Sequence, residues 1–533
     1  MLSGKTIIVI LILAAFIRFY KLESFPVSIY WDEAAIGYNA YSIAMTGRDE
    51  YGMKLPLLFK SFSDYKLPGY IYLDSVFIKI LDFSIFSTRF PSALFGTLTI
   101  FGIYHLGKNL FDKKTALISA FFLAISPWHI QFSRSAFEAT IAFTLIVFGL
   151  LMLLLGRKSK IAGLISAPLL FLATYFYLPA RLISPLFLIT FFAIFKKEVK
   201  INLRSYMCGT FIAFLIVLPI ISSVLSYESL KHVKEVSIFE DKSLITDYVK
   251  ATPNDHTLFT KIFFNYRIPV VFEVLHGYSK HFSPGFLFFG DDPNARHDSA
   301  YQGNMYFFQF PLILVGIWLL IKSEKKTKYL ILSWLLISPL PAAVSKEAPH
   351  SLRSLQMLIP LTFISATGAL FFLKSKIVRL LIVPTILVFL VNYIVIYYRI
   401  YPIKNSLSWG YGYQQMLEEL AKLDKSYDRV IITGYYWKPY IYYLYFNKID
   451  PKSYQNNPDI QAIGKYRFGS TYWDSGGKNL DDEAIKSLKL GKTLLVLSPE
   501  EMRNLKDQIR FSEIKEINDY SGHNSIFLIG EWQ

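Results

Sequence analysis

Apolar runs long enough to cross a hydrocarbon core recur along the chain, at roughly 4–20, 88–106, 112–127, 136–155, 160–178, 182–196, 204–225, 305–322, 328–345, 353–373 and 377–398. Basic clusters separate them: Lys108 with Lys113 and Lys114, Arg157 to Lys160, Lys196 to Arg204, Lys322 to Lys328, and Lys374 to Arg379. These clusters follow every second run. The positive-inside rule therefore puts them all in the cytoplasm, with the N-terminus inside. The pattern predicts a polytopic α-helical membrane protein of about eleven transmembrane helices plus interfacial helices. The run 68–83 contains Asp74, Lys79 and Asp82 and is short, so it reads as a helix lying in the outer interface. A twelfth span there would move every later basic loop outside. The first apolar run reads as an uncleaved membrane helix, with Arg18-Phe19-Tyr20-Lys21 as its interfacial anchor.

On this scheme the outer face carries the loops 21–87, 126–135 and 226–304, and everything after about residue 400. Loop 226–304 is polar and aromatic, with turn signals at Ser283-Pro284-Gly285 and Gly290-Asp291-Asp292-Pro293-Asn294. Its length predicts that it folds over the membrane domain. The period changes near residue 403. Residues 417–423 read as a short helix, and 429–434, 493–498 and 525–530 as buried strands. The expected organisation is a transmembrane domain over 1–402 and a soluble extracytoplasmic α/β domain over 403–533.

Composition agrees. The 533 residues are 53% hydrophobic and 17% aromatic, with a mean hydropathy of +0.35, too apolar for an ordinary soluble protein. The net charge of +16 is explained by cytoplasmic loops and anionic lipid head groups, so no nucleic-acid partner is expected. The single cysteine, Cys208, excludes an intramolecular disulfide.

The candidate chemistry lies on the predicted outer face. Trp31-Asp32-Glu33 follows the first run by about ten residues. Adjacent helical residues point about 100° apart, so one acid can accept a proton while the other holds a metal or a backbone amide. The two acids equally suit the start of a helix, Asp as cap and Glu at its positive end. Asp64 and Lys66, ahead of Pro68, suit a metal and a phosphate respectively, or a solvated loop with a snorkelling lysine. Arg134 and Glu138, near His129, are spaced to share a helical face. Arg181, His350 and Arg353 are further cations at span ends. Together such cations suit a lipid phosphate, because guanidinium contacts phosphate bidentately.

The Asp-Glu pair after the first span, the acid and lysine before Pro68, and the Ser126-Pro127…His129…Ser133-Arg134…Glu138 loop resemble membrane glycosyltransferases of the GT-C superfamily. They are most similar to its protein mannosyltransferase and aminoarabinose transferase group, over roughly residues 1–400. The resemblance implies an inverting enzyme that moves a sugar from a polyprenyl-phosphate donor to an acceptor hydroxyl outside the cytoplasm. The acceptor class, whether glycan, lipid or protein, stays open, and the expected place is a prokaryotic plasma membrane. The resemblance makes Asp32 the catalytic base with Glu33 beside it. It puts Lys66 and Arg134 at the lipid phosphate with Glu138 one turn on; the shared outer face adds Arg181, His350 and Arg353 to that cationic socket, with Trp31 and His129 in support. Asp64 is its candidate ligand for a divalent metal ion. A lipid-linked glycan flippase and a polyprenyl-diphosphate glycan polymerase or ligase remain alternatives.

Overall fold

The computed structural model describes residues 2–62, 64–224, 237–240, 250, 257, 267–297, 300–469, 491–505 and 511–532. The chain divides into two compact units. One comprises Met1–Tyr20 with Ser92–Tyr397, and the other Lys21–Pro91 with Tyr398–Gln533. The segment that follows the first helix thus belongs to the unit containing the C-terminal portion, whereas the sequence suggests a boundary at 402.

The first unit is helical. It contains α1 (Leu2–Phe19), and its later helices include α5 (Lys113–Ile125), α6 (Pro127–Ser133), α7 (Glu138–Gly156), α8 (Lys160–Leu172) and α9 (Ala180–Ile194). Among the described residues, four helical stretches are long and apolar enough to cross a membrane: Glu138–Gly156, Lys196–Ile220, Leu355–Phe372 and Lys376–Asn405. The pair α5 and α6, bent by 57° at Ser126, makes up to five. The expected eleven are not reproduced as long single helices, and prolines explain two of the breaks. Pro127 starts α6 anew after the bend, and the run 328–345 divides at Pro339 into Thr327–Ile337 and Leu340–Ala343. A proline removes a backbone donor and clashes with the preceding turn. Much of the loop 226–304 lies outside the described residues.

The second unit is built on a six-stranded mixed sheet with strand order β4-β5-β3-β6-β8-β7. The strands are β3 (Arg429–Ile432), β4 (Ala462–Ile463), β5 (Tyr466–Phe468), β6 (Thr493–Leu497), β7 (Phe511–Asn518) and β8 (Ser525–Trp532). The central pair β3 and β6 is parallel, Val430 facing Leu494 and Ile432 facing Val496. Both strands are buried, as continuous apolar runs in parallel strands require. The edge strand β7 carries Glu513, Lys515 and Glu516 on an exposed ladder, the charge pattern that discourages further strand pairing.

The same unit holds α2 (Trp31–Thr46), the hairpin β1 (Phe59–Ser61) and β2 (Asp64–Lys66), and α3 (Pro68–Leu81). Pro68 occupies the first turn of α3, where its missing N–H costs nothing. At about 1.5 Å per residue, the 14 residues of α3 fall short of a hydrocarbon core roughly 30 Å thick. Helix α2 packs tightly at Gly37, where a Cβ would come within 2.7 Å of Thr88 and Tyr445. It ends at Gly47, whose φ of 68° makes a left-handed cap.

Candidate active site

The chain enters α2 through Tyr30, which has extended backbone and makes no side-chain cap. Asp32 and Glu33 stand inside the first turn, so neither is the capping residue. Their charges still favour the positive end of the helix. The turn sends the two carboxylates to different environments.

Glu33 is fully buried and meets Arg89, which is also fully buried. Arg89 Nε donates to Glu33 Oε1 and Arg89 Nη2 to Oε2, both at 3.0 Å. This is a two-pronged carboxylate–guanidinium pair. Arg89 also donates to the carbonyls of Leu22 at 3.1 Å, Pro26 at 3.0 Å and Ser28, and its guanidinium lies 6.0 Å from the Trp409 ring. Glu33 is therefore committed to an ion pair that fastens the start of α2 to the segment 22–28. The expectation for Glu33 is a place beside Asp32 in catalysis, and the structure puts its carboxylate in this ion pair. Arg89 carries no local signal in the sequence, because it sits at the head of an apolar run.

Asp32 keeps a 30% exposed side chain and accepts from Lys66 Nζ at 2.5 Å. The short hairpin explains this meeting. Phe59 pairs with Lys66 and Ser61 with Asp64, so the chain reverses and delivers Lys66 just ahead of α3. The Asp64 side chain lies outside the described residues, so its expected role as metal ligand has no geometry here. Trp31 stacks on Trp437 at 5.3 Å, and Tyr30 meets Trp409 edge-on at 5.4 Å. Trp31, next to Asp32 in the chain, and Trp437 are partly exposed, whereas Tyr30 and Trp409 are buried.

The remaining predicted residues lie in the first unit. His129, on α6, is buried, and its Nδ1 lies 2.6 Å from Arg18 Nη2. Arg18 is itself fully buried and bonds to the carbonyls of Ala14, Leu123 and Ala124. It is an internal clamp, which corrects its reading as an interfacial anchor. Arg134 is likewise fully buried, donating to Tyr397 Oη at 3.1 Å and to the carbonyls of Ile17, Arg18 and Tyr20. These bonds tie the end of α1 in place, where a phosphate contact had been expected. A turn between α6 and α7 separates Arg134 from Glu138, so the two do not share one helical face.

Glu138 and Arg353 both act electrostatically on Tyr177. Tyr177, Ala180, Arg353 and Gln356 help line a cavity of about 10 Å³, room for about one water. Arg181 Nε and Nη2 are buried with no hydrogen-bond partner among the described residues. His350 is buried in a cluster with Asp292 and His297. Its ring lies 4.6 Å from that of His297, and its backbone N–H donates to His281 Nε2 at 3.2 Å. Burial pushes the His281 imidazole down to about 4. Asp292 and His297 went unnoticed in the sequence because their loop read as turn signals only.

Residues 66–227 match a family model described as dolichyl-phosphate-mannose-protein mannosyltransferase. No curated protein matches the chain. Among solved structures, ArnT from Cupriavidus metallidurans in the apo state is similar, with 10% identity over 100% of this chain and 98% of that one, at a TM-score of 0.59. The same protein bound to undecaprenyl phosphate is similar with 12% identity over 99% and 97%, at 0.50. The Archaeoglobus fulgidus oligosaccharyltransferase, complexed with Zn and sulfate, is similar with 16% identity over 82% of this chain, at a TM-score of 0.50. The chain spans 61% of the length of that oligosaccharyltransferase. These likenesses show the fold alone: this chain shares the architecture of ArnT and of the Archaeoglobus fulgidus oligosaccharyltransferase.

Proposed function

We propose that the chain is an integral-membrane, inverting glycosyltransferase that uses a polyprenyl-phosphate-linked sugar and works on the extracytoplasmic side. The observation that carries this reading is the Asp32–Lys66 pair at 2.5 Å, half-open and next to Trp31 in the chain, beside a second acid withdrawn into an ion pair. The family-model match and the undecaprenyl phosphate bound to the similar ArnT support the donor class.

In the proposed reaction the acceptor hydroxyl oxygen attacks the anomeric carbon. A new glycosidic C–O bond forms as the bond from that carbon to the phosphate oxygen breaks. The hydroxyl proton passes to Asp32, and the polyprenyl phosphate departs with its electron pair. General-base help of this kind is worth roughly 10²–10⁴ in rate. Charge grows on the departing phosphate, and an ammonium stabilises it. Lys66 orients the Asp32 carboxylate and supplies an ammonium for the developing phosphate charge. Arg181 and Arg353, in the first unit, are further cations with buried donor atoms, chemically suited to phosphate oxygens. Should a divalent metal also bind, it would add charge stabilisation at the phosphate, with Asp64 as the candidate ligand.

Asp32→Asn is expected to reduce sugar transfer about 10²–10⁴-fold while co-purified donor lipid, read by mass spectrometry, stays at the wild-type level. Wild-type turnover in Asp32→Asn would overturn the assignment.

A further inference from the structure

Three side chains of the first unit meet away from the acid–lysine pair. Asp292 and His297 come from one turn-rich segment, and His350 from another about fifty residues later. All are buried, and each offers one donor atom within 4.8 Å of the other two. We propose that Asp292, His297 and His350 bind a divalent transition cation of the zinc class.

Geometry is the first support. Zinc bonds nitrogen and oxygen at about 2.0–2.2 Å, which puts two ligands of one tetrahedron roughly 3.3–3.5 Å apart. His297 Nδ1 and Asp292 Oδ2 are 3.4 Å apart. That is long for a hydrogen bond, and His297 Nδ1 is buried with no hydrogen-bond partner. A buried ring nitrogen left in this way is costly as a bare polar atom and useful as a ligand.

The second support is the surrounding scaffold. Asp292 Oδ2 accepts from the Ser351 N–H at 2.6 Å, and Ser351 Oγ accepts from Asn304 Nδ2 at 3.1 Å. The Trp128 indole donates to the Ser351 carbonyl at 3.1 Å. Outer-shell bonds of this kind orient ligands. His281 is excluded from the set: its Nδ1 lies 2.8 Å from the Gly277 carbonyl and its Nε2 accepts from the His350 N–H, so both nitrogens are used. Whichever ring nitrogen of His350 ligates, its Nδ1 gives up a bond from the Arg353 N–H, and at 3.3 Å that bond is long. Glu347 Oε2, 3.8 Å from both His350 Nε2 and Arg353 Nη1, is a weaker candidate for a fourth ligand because Arg353 competes for it.

Imidazole and carboxylate together suit zinc over magnesium or calcium, which take oxygen. The bound ion would staple segment 292–297 to segment 350–353. This inference does not depend on the proposed reaction.

The test uses the full chain in detergent, stripped with chelator and dialysed against Zn²⁺, with bound metal read by mass spectrometry. One equivalent per chain is expected. His297→Gln and His350→Gln should each weaken binding at least tenfold, Glu347→Gln less, and Asp64→Ala not at all. Thermal unfolding supplies a second reading, since an ion that binds only the folded chain raises Tm; Zn²⁺ should raise the wild-type Tm and leave that of the double histidine variant unchanged. Co²⁺ in place of Zn²⁺ should give the intense visible bands of a four-coordinate ion. Failure of the wild type to retain zinc, or full retention by the double variant, would overturn the site. Loss of zinc on Asp64→Ala alone would overturn it too, by placing the ion elsewhere.

Discussion

Each unit holds a fully buried arginine, Arg89 in one and Arg18 in the other, and the two are held differently. Arg89, in the second unit, faces the carboxylate of Glu33 and three carbonyls. Arg18, in the first, is held by three carbonyls and the His129 ring. A guanidinium paired with an acid is neutralised, but removing either partner strands a buried charge. A guanidinium held by dipoles leaves only neutral groups behind when it is lost. Beside Glu33, which is buried against Arg89, Asp32 stays partly exposed and pairs with Lys66.

The largest test of this difference is Arg89→Ala, which leaves Glu33 buried and uncompensated. A loss of about 3–5 kcal/mol is expected, read by thermal unfolding in detergent. The double change Glu33→Met with Arg89→Met should recover most of that loss. If it does not, the pair is more than an exchange of opposite charges. Arg18→Met should cost less, about 1–3 kcal/mol, since it leaves carbonyls and an imidazole without donors. Equal losses from Arg89→Ala and Arg18→Met would erase the distinction.

Glu50 sharpens the comparison as a fully buried acid in the second unit. Loss of hydration pushes its carboxyl up to about 8, from an ordinary value of 4.5. The folded protein keeps this proton up to about pH 8, whereas the unfolded chain releases it near 4.5. Folding therefore binds a proton between these limits, and stability falls as pH rises through that window. Glu50→Gln should flatten the decline in Tm between pH 5 and pH 8, and an unchanged slope would exclude Glu50 as its source. The smallest effect is expected at Lys326–Glu198, an ion pair of 2.8 Å with side chains 43% and 33% exposed. Lys326→Ala should cost at most about 1 kcal/mol, and less in high salt.

Parts of this were legible in the sequence because they depend on near neighbours. Strands β3, β6 and β8 follow from short β-rich runs, and the start of α3 follows from Pro68. The acid pair of α2 and the lysine before α3 stood out as charges among aromatics. Other features depend on residues far apart in the chain. Arg89 meets Glu33 across 56 positions, and Arg18 meets His129 across 111. Both arginines lie at the ends of apolar runs, where snorkelling to the interface is the usual expectation. Burial, which no local pattern reports, decided otherwise.

The sequence by itself determined the apolar segmentation, the basic loops between segments, the change of period near residue 403, and which acids and cations were available. These follow from hydration, because apolar runs leave water and charged clusters stay in it wherever they fall in the chain. Only the tertiary structure decided how those charges were spent. It broke two apolar runs at prolines, grouped residues 21–91 with the C-terminal portion, drew Glu33 to Arg89, and brought Lys66 to Asp32. Each outcome turns on which distant group reaches a buried charge first, and that depends on packing rather than on sequence neighbours.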